Sequence, residues 1–393
     1  MNDHLPGFTT SSLSLWLFWY LSIGVLSVQG IGAQALAGSD LPSVRLLAML
    51  DLINVKPHSP TQLMLLCTTN GAQGMNDTPP LLFALRGSQA YGNAVAQRLG
   101  WTLSAHEERD YEDGEHKCWP GESVDGRSVI VFHSLYGDAH HSAHDKLCRL
   151  LFFCGALKDA GASQVTAVTP YLCYGRKDRK VEFQDATITR HVACLMESIG
   201  VDRVVALDVH NPSAFDNAYR IPSWNLQCTK LFAQHLAPLL GEQTVTVVSP
   251  DIGGIKRAEQ FRQVLADLLG RPVSVAMMEK HRQQAGLSGE HLVGDVAGST
   301  VIVFDDLIST GQTLLRAAQA CRQAGASRML AAATHGLFTT GGELFDSGVF
   351  ERVLVADSIA PFRLPVRCQQ QLDIVDTSAL VAELLANRRG WGA

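Results

Sequence analysis

The chain has 393 residues, of which 46% are hydrophobic and 18% charged, a globular composition with room for two or three domains and not that of a disordered protein. Its formal net charge of −6 leaves no basic footprint for nucleic acid. Nine cysteines, odd in number and without a Cys-x-x-Cys pair, sit mostly inside apolar runs such as Leu151-Phe-Phe-Cys154, which points to free buried thiols in a reducing compartment, the cytoplasm.

In chain order, residues 1–74 stand apart from the rest. Leu13 to Val28 is an apolar run, followed by Ala35-Leu-Ala37, a pattern for small-residue cleavage. No Lys or Arg precedes it, however, and it is short for a membrane span, so neither a secretory leader nor an anchor is expected. The expected start of the functional protein is Met75, just before the first strand pattern at Leu81-Leu-Phe-Ala-Leu85.

Arg109-Asp-Tyr-Glu-Asp-Gly-Glu-His116 is a polar turn carrying one aromatic residue. Gly126-Arg-Ser-Val-Ile-Val-Phe132 then begins an internal repeat, since it matches Gly298-Ser-Thr-Val-Ile-Val-Phe304. Downstream, Ala156-Leu-Lys-Asp-Ala-Gly-Ala-Ser163 matches Ala320-Cys-Arg-Gln-Ala-Gly-Ala-Ser327, with a longer loop in the first copy. Two strand-loop-helix-strand units imply two α/β domains of similar fold, each with a mostly parallel sheet. The expected domains are 75–225 and 226–393.

After the apolar run Val165 to Val168 comes Thr169-Pro-Tyr-Leu-Cys-Tyr-Gly-Arg-Lys-Asp-Arg-Lys180, whose four cations at a strand end suit a polyphosphate. Val204 to His210 reads as a strand ending in a histidine. Val247-Val-Ser-Pro-Asp-Ile-Gly-Gly-Ile-Lys-Arg-Ala258 reads as a strand, a glycine turn whose amides can approach an anion, and a helix start. Met278-Glu-Lys-His-Arg282 ends a strand and opens a loop.

The most specific stretch is Thr300 to Thr313. Val301 to Phe304 is a continuous apolar run, as in a parallel strand buried on both faces, and Asp305 and Asp306 stand where it should end. Ser309-Thr-Gly-Gln-Thr313 then opens an amphipathic helix, whose N-terminal amides and dipole suit a phosphate. The acidic pair suits sugar hydroxyls or a divalent cation. The two side by side suggest a ribose phosphate. The first copy of the repeat has His133-Ser134 in place of the acidic pair and no such turn, so only the second copy keeps the site.

The stretch resembles the phosphoribosyl-diphosphate binding loop of the phosphoribosyltransferase fold, and its neighbours narrow the resemblance to the ribose-phosphate diphosphokinases. It runs through six segments in order over roughly residues 81–385. It implies an α/β protein with two tandem phosphoribosyltransferase-type domains, each with a mostly parallel central sheet and flanking helices. The implied reaction is transfer of diphosphate from MgATP to O1 of ribose 5-phosphate, giving phosphoribosyl diphosphate and AMP for nucleotide biosynthesis.

The resemblance also implies residue roles. Ser309, Thr310, Gly311, Gln312 and Thr313 would hold the 5-phosphate, with Asp305 and Asp306 at the ribose. Tyr111, Asp113 and Glu115 match the family's Phe-x-Asp-Gly-Glu loop, which meets the adenine of ATP from a neighbouring subunit; Arg176 and Asp178 match further ATP contacts. His210 and Asp251 are the candidate Mg²⁺ residues. Lys280 and Arg282 match the start of the catalytic flexible loop. ATP and ribose 5-phosphate are the expected partners, in a homo-oligomer that shares its ATP site between subunits, with no nucleic acid or membrane. The chain departs from the family in Lys177 for Gln, His281 for Arg, Glu279 for Asp, Ser309 where many members have Asp and some Ser, and Gln312 for a small residue. Two other readings are a phosphoribosyltransferase, which would need only one domain, and a non-catalytic regulatory relative, which typically loses the catalytic loop.

Overall fold

A computed structural model describes residues 79–282 and 288–387, with the side chains of 280–282 and 288–290 outside that description. Residues 1–74 lie outside the described residues, as does the middle of the loop that follows Arg282. Pro79 onward forms one compact unit built on two central sheets.

The first sheet has the order β1-β4-β5-β6-β7 and is parallel throughout: β1 Leu81–Ala84, β4 Ser128–Phe132, β5 Gln164–Thr169, β6 Arg203–Leu207 and β7 Ser223–Leu226. Its apolar runs are buried along their length because helices cover both faces, and parallel strands need such crossovers. Among these helices are α1 Gln89–Leu99, α2 Ala143–Asp159 and α3 Ile188–Ser198. A two-stranded antiparallel hairpin, β2 His106–Asp110 with β3 His116–Pro120, stands apart from the sheet.

The short α4 Pro212–Ala218 follows β6, and α5 Thr229–Leu240 leads into the second sheet. That sheet has the order β10-β9-β8-β11-β12-β13-β14. Its strands are β8 Val245–Ser249, β9 Ser274–Arg282, β10 Ser288–Val293, β11 Thr300–Ile308, β12 Arg328–Gly336, β13 Arg352–Ala356 and β14 Leu372–Val375. All pairs are parallel except β9 with β10, which form a hairpin. The helices α6 Ile255–Leu269 and α7 Gln312–Gln323 flank it, α8 Glu343–Asp346 is a single turn, and α9 Ser378–Ala386 closes the described chain. The expected α/β architecture of two mostly parallel sheets is therefore present.

Two strand ends differ from expectation. β11 continues through Asp305 and Asp306 to Ile308, because β12 goes on pairing with it there. β6 stops at Leu207, before His210, because Asp208 turns the backbone at φ 33°, in the left-handed region.

One apolar core joins the two sheets. Phe304 of β11 stacks on Phe261 of α6 at 4.2 Å between ring centroids and meets Phe232 of α5 edge-on. The same cluster includes Tyr91 and Val95 of α1 with Val381 and Leu385 of α9, so the last helix lies on the first. Tyr91 Oη is 3.1 Å from Thr377 Oγ1, and Arg98 donates to Ser378 and pairs with Asp376.

Candidate active site

β8 and β11 pair only from Val245 to Val248 and from Thr300 to Val303. Beyond that point β11 runs on with β12 alone, while β8 turns into the glycine loop. The connections leave β8 towards β9 on one side and reach β11 on the other, which makes this a switch point, where open α/β sheets bind ligands.

Asp305 and Asp306 sit at that point, with Asp306 buried and Asp305 half-buried. Successive strand residues face opposite ways, yet one guanidinium reaches both. Arg257, in the first turn of α6, places Nη1 3.1 Å from Asp305 Oδ1 and 3.2 Å from Asp306 Oδ1. Its Nη2 donates to the His210 carbonyl at 3.0 Å. His210 arrives from the first sheet, with Nδ1 2.6 Å from Asp306 Oδ2. Four residues, from β11, α6 and the turn after β6, thus form one charged knot, and removing one partner of so buried a pair leaves an uncompensated charge.

Their electrostatics divide the acidic pair. Burial and the neighbouring Asp306 charge push the Asp305 carboxyl well above the ordinary range. Burial works the same way on Asp306, but the His210 hydrogen bond and the Arg257 charge overcome it and hold that carboxyl below the usual range. The hydrogen bond to Asp306 raises His210 against the cost of its burial.

Beside the pair lies the turn Ser309 to Thr313. Gly311 adopts φ 82°, left-handed backbone that favours glycine, and a Cβ there would press on the Leu344 side chain at 3.1 Å. α7 has no side-chain N-cap. The Thr310 hydroxyl accepts from the Gln312 amide at 3.3 Å, and Thr339 N donates to the Ser309 carbonyl at 2.9 Å. The turn is held from its carbonyl side, and its helix N-terminus suits an anion.

Arg176 lines a small cleft with Tyr171, His210 and Asp306, while Asp178 accepts from Asn211 Nδ2 at 2.6 Å. Both are thereby brought to the His210 side of the knot. Asp251 acts locally: its Oδ1 accepts from Gly254 N at 2.9 Å, fixing the glycine turn. A Cβ at Gly254 would lie 2.7 Å from Ser249 Oγ, which accounts for the second glycine. Tyr111, Asp113 and Glu115 occupy the tip of the β2–β3 hairpin, where Tyr111 N donates to the Glu115 carbonyl and Arg109 covers the Tyr111 ring. Among the described residues no hydrogen bond or ion pair joins this tip to the acidic knot. Lys280 and Arg282 lie on β9, paired with Glu290 and Ser288 of β10, and their side chains are outside the description.

Among the described residues no three His, Cys, Asp or Glu side chains gather as a metal cage. Mg²⁺ keeps several waters and takes one or two carboxylates plus substrate phosphates, so the Asp305–Asp306 edge fits it without a cage. His210 Nδ1 is already engaged by Asp306, which leaves only Nε2 for an ion. Arg257 was not singled out in the sequence. The signal was present: a cation in the first helical turn after Gly253-Gly254 faces the strand ends.

Two family models match the chain. The N-terminal domain of ribose phosphate pyrophosphokinase matches residues 81–200, and the phosphoribosyl synthetase-associated domain matches residues 272–390. The ribose-phosphate pyrophosphokinase of Pasteurella multocida is 31% identical over 307 residues, covering 77% of this chain and 94% of the relative. That of a Marinomonas species is 31% identical over 318 residues, covering 80% and 98%. The crystal structure of phosphoribosylpyrophosphate synthetase from Mycobacterium smegmatis superposes with a TM-score of 0.70 at 28% identity, over 80% of this chain and all of that one.

Proposed function

Because this chain belongs to the ribose-phosphate pyrophosphokinase family, we propose that the Asp305–Asp306 crevice is where ribose 5-phosphate receives diphosphate from ATP. The enzyme is a ribose-phosphate diphosphokinase, forming phosphoribosyl diphosphate and AMP. The observation that carries the site reading is the uncapped α7 N-terminus beside two carboxylates at the sheet switch point.

In this reading Ser309 to Thr313 hold the 5-phosphate through amides and hydroxyls. Asp305 and Asp306 orient the ribose hydroxyls. Arg176, with Asp178 held by Asn211, faces the polyphosphate from the first sheet. Lys280 and Arg282, at the end of β9, close over the transferring group. O1 attacks the β-phosphorus in line while the α-phosphate oxygen leaves with AMP, a step that needs positioning and charge neutralisation more than covalent help. When bound, Mg²⁺ supplies charge neutralisation on the phosphates; the residues that would hold it are His210, through Nε2, and Asp251 of the glycine turn, with the Asp305–Asp306 carboxylates as the further oxygen donors.

The domain change falls near residue 226, at the end of β7, and α9 of the second domain packs back on α1 of the first. Tyr111, Asp113 and Glu115, at the tip of the β2–β3 hairpin, meet the nucleotide of a neighbouring subunit in a homo-oligomer. Eight cysteines among the described residues are free thiols, and no helix there is long and apolar enough to cross a membrane, in keeping with a cytoplasmic enzyme.

The test is an assay of purified protein with MgATP and ribose 5-phosphate, following AMP and phosphoribosyl diphosphate together. Release of ADP in place of AMP, or no turnover, would sink the reading.

A further inference from the structure

The turn that carries His210 is bound by its own sheet and by the other one. Within the first sheet, Asp208 N donates to the Leu226 carbonyl at 3.0 Å and Val209 N to Asn225 Oδ1 at 2.9 Å. From the second sheet, the end of β12 reaches across. Thr334 Oγ1 donates to Asp208 Oδ2 at 2.5 Å, and His335 Nε2 lies 3.1 Å from the Leu207 carbonyl. A carbonyl can only accept, so Nε2 carries the proton. Nδ1 lies 2.9 Å from Ser358 Oγ, a hydroxyl that is also within reach of the Thr334 carbonyl at 3.2 Å, so the ring is tied at both nitrogens.

His335 is buried and meets the Tyr171 ring edge-on at 5.1 Å, so its ring is fixed on a third side. Ser358 is held in turn, because its carbonyl accepts from Ser134 Oγ at 2.5 Å. The contacts converge on Leu207 and Asp208, where the backbone leaves the strand at φ 33°. Left-handed backbone at a non-glycine residue persists where its surroundings over-determine it. Two residues later, His210 reaches Asp306.

We propose that Thr334 and His335 act together as a positioning clamp, gripping the Leu207–Asp208 turn so that His210 meets Asp306 of the other sheet. Thr334 holds the Asp208 carboxylate and His335 the Leu207 carbonyl. Their effect on turnover passes through His210, and this part rests on the site reading given above.

The test combines geometry with a double-mutant cycle. In a crystal structure of His335→Leu, the His210 Nδ1 to Asp306 Oδ2 separation should open beyond hydrogen-bond reach from 2.6 Å. Retention of the contact overturns the clamp. In kinetics, His335→Leu should lower kcat by about tenfold or more, with KM for both substrates changed by less than about threefold. Repeated in a His210→Ala background, the same substitution should cost less than about threefold, because its route is already lost. Equal losses in both backgrounds would mean that His335 serves the fold alone, and an unaffected His210→Ala enzyme would also overturn the idea. His335→Gln, which keeps an N–H able to reach the Leu207 carbonyl, should recover most of the rate. Should His335→Leu fail to fold, Thr334→Val and its conservative counterpart Thr334→Ser carry the same cycle. If the wild-type protein yields no AMP, the functional reading fails, while the crystallographic comparison still decides the clamp.

Discussion

His210 Nδ1 and Asp306 Oδ2 lie 2.6 Å apart although 96 positions separate the two residues, one following the first sheet and the other within the second. Asp306→Asn should therefore lower the His210 pKa towards its ordinary value, as read by NMR of the imidazole. The sign follows from the raised folded value: the stabilisation from charging His210 is complete below the ordinary imidazole range and is lost as pH rises through the raised one. An unshifted His210 resonance in the variant would show that another group sets its charge.

Arg257 holds both carboxylates with one guanidinium. Arg257→Met should destabilise the protein by about 3 kcal/mol, since it leaves the largely buried Asp305 without a cation and Asp306 with His210 alone. Addition of Mg²⁺ should restore part of the lost melting temperature, whereas the wild type should respond less. A variant as stable as wild type would mean that water already screens the pair.

Ser309 to Thr313 and the acidic pair should be separable. Thr310→Val or Thr313→Val should weaken inorganic phosphate by about 1–3 kcal/mol while sparing ribose binding. Asp305→Asn should do the reverse. Calorimetry with phosphate, ribose and ribose 5-phosphate decides, and equal losses for all three ligands would mean that the loop behaves as one unit.

Burial pushes the Asp357 carboxyl up to about 6, against the pull of two hydrogen bonds from Thr377. The folded state then binds more protons than the unfolded chain between about pH 4 and 6, so this group's contribution to stability falls across that window and is level above it. Asp357→Asn mimics the protonated acid and should gain relative to wild type over that same window in denaturant titrations. A constant difference from pH 4 to 8 would refute the shift.

Lys280→Ala should lower kcat by about a hundredfold or more with little change in either KM, if the cation acts on the transition state. A rise in KM alone would assign it to ground-state binding.

Local chemistry explains what could be read from the sequence. The runs Val301 to Phe304 and Val165 to Val168 are apolar without alternation, and only strands covered on both faces need that, so the parallel sheets were visible. The Ser309 to Thr313 turn announced itself through its hydroxyls and glycine. The end of β11 was misjudged because a carboxylate is a poor strand signal, whereas pairing with β12 carries the strand through it. The grip of Thr334 on Asp208 spans 126 positions, and nothing in either local pattern marks it, because tertiary contact alone creates it. Arg257 falls between these cases, with a legible position and a partner set only by the fold.

The packing of α9 on α1 bears on how the protein is made. The face of α1 with Tyr91 and Val95 is covered by Val381 and Leu385 from the last described helix. During synthesis that face lacks this cover until residues 378–386 have left the ribosome, so the first of the described helices must wait for the last of them to dock. A message cut short before residue 378 would yield a product with this apolar face of α1 still open, a mark that chaperones and proteases read.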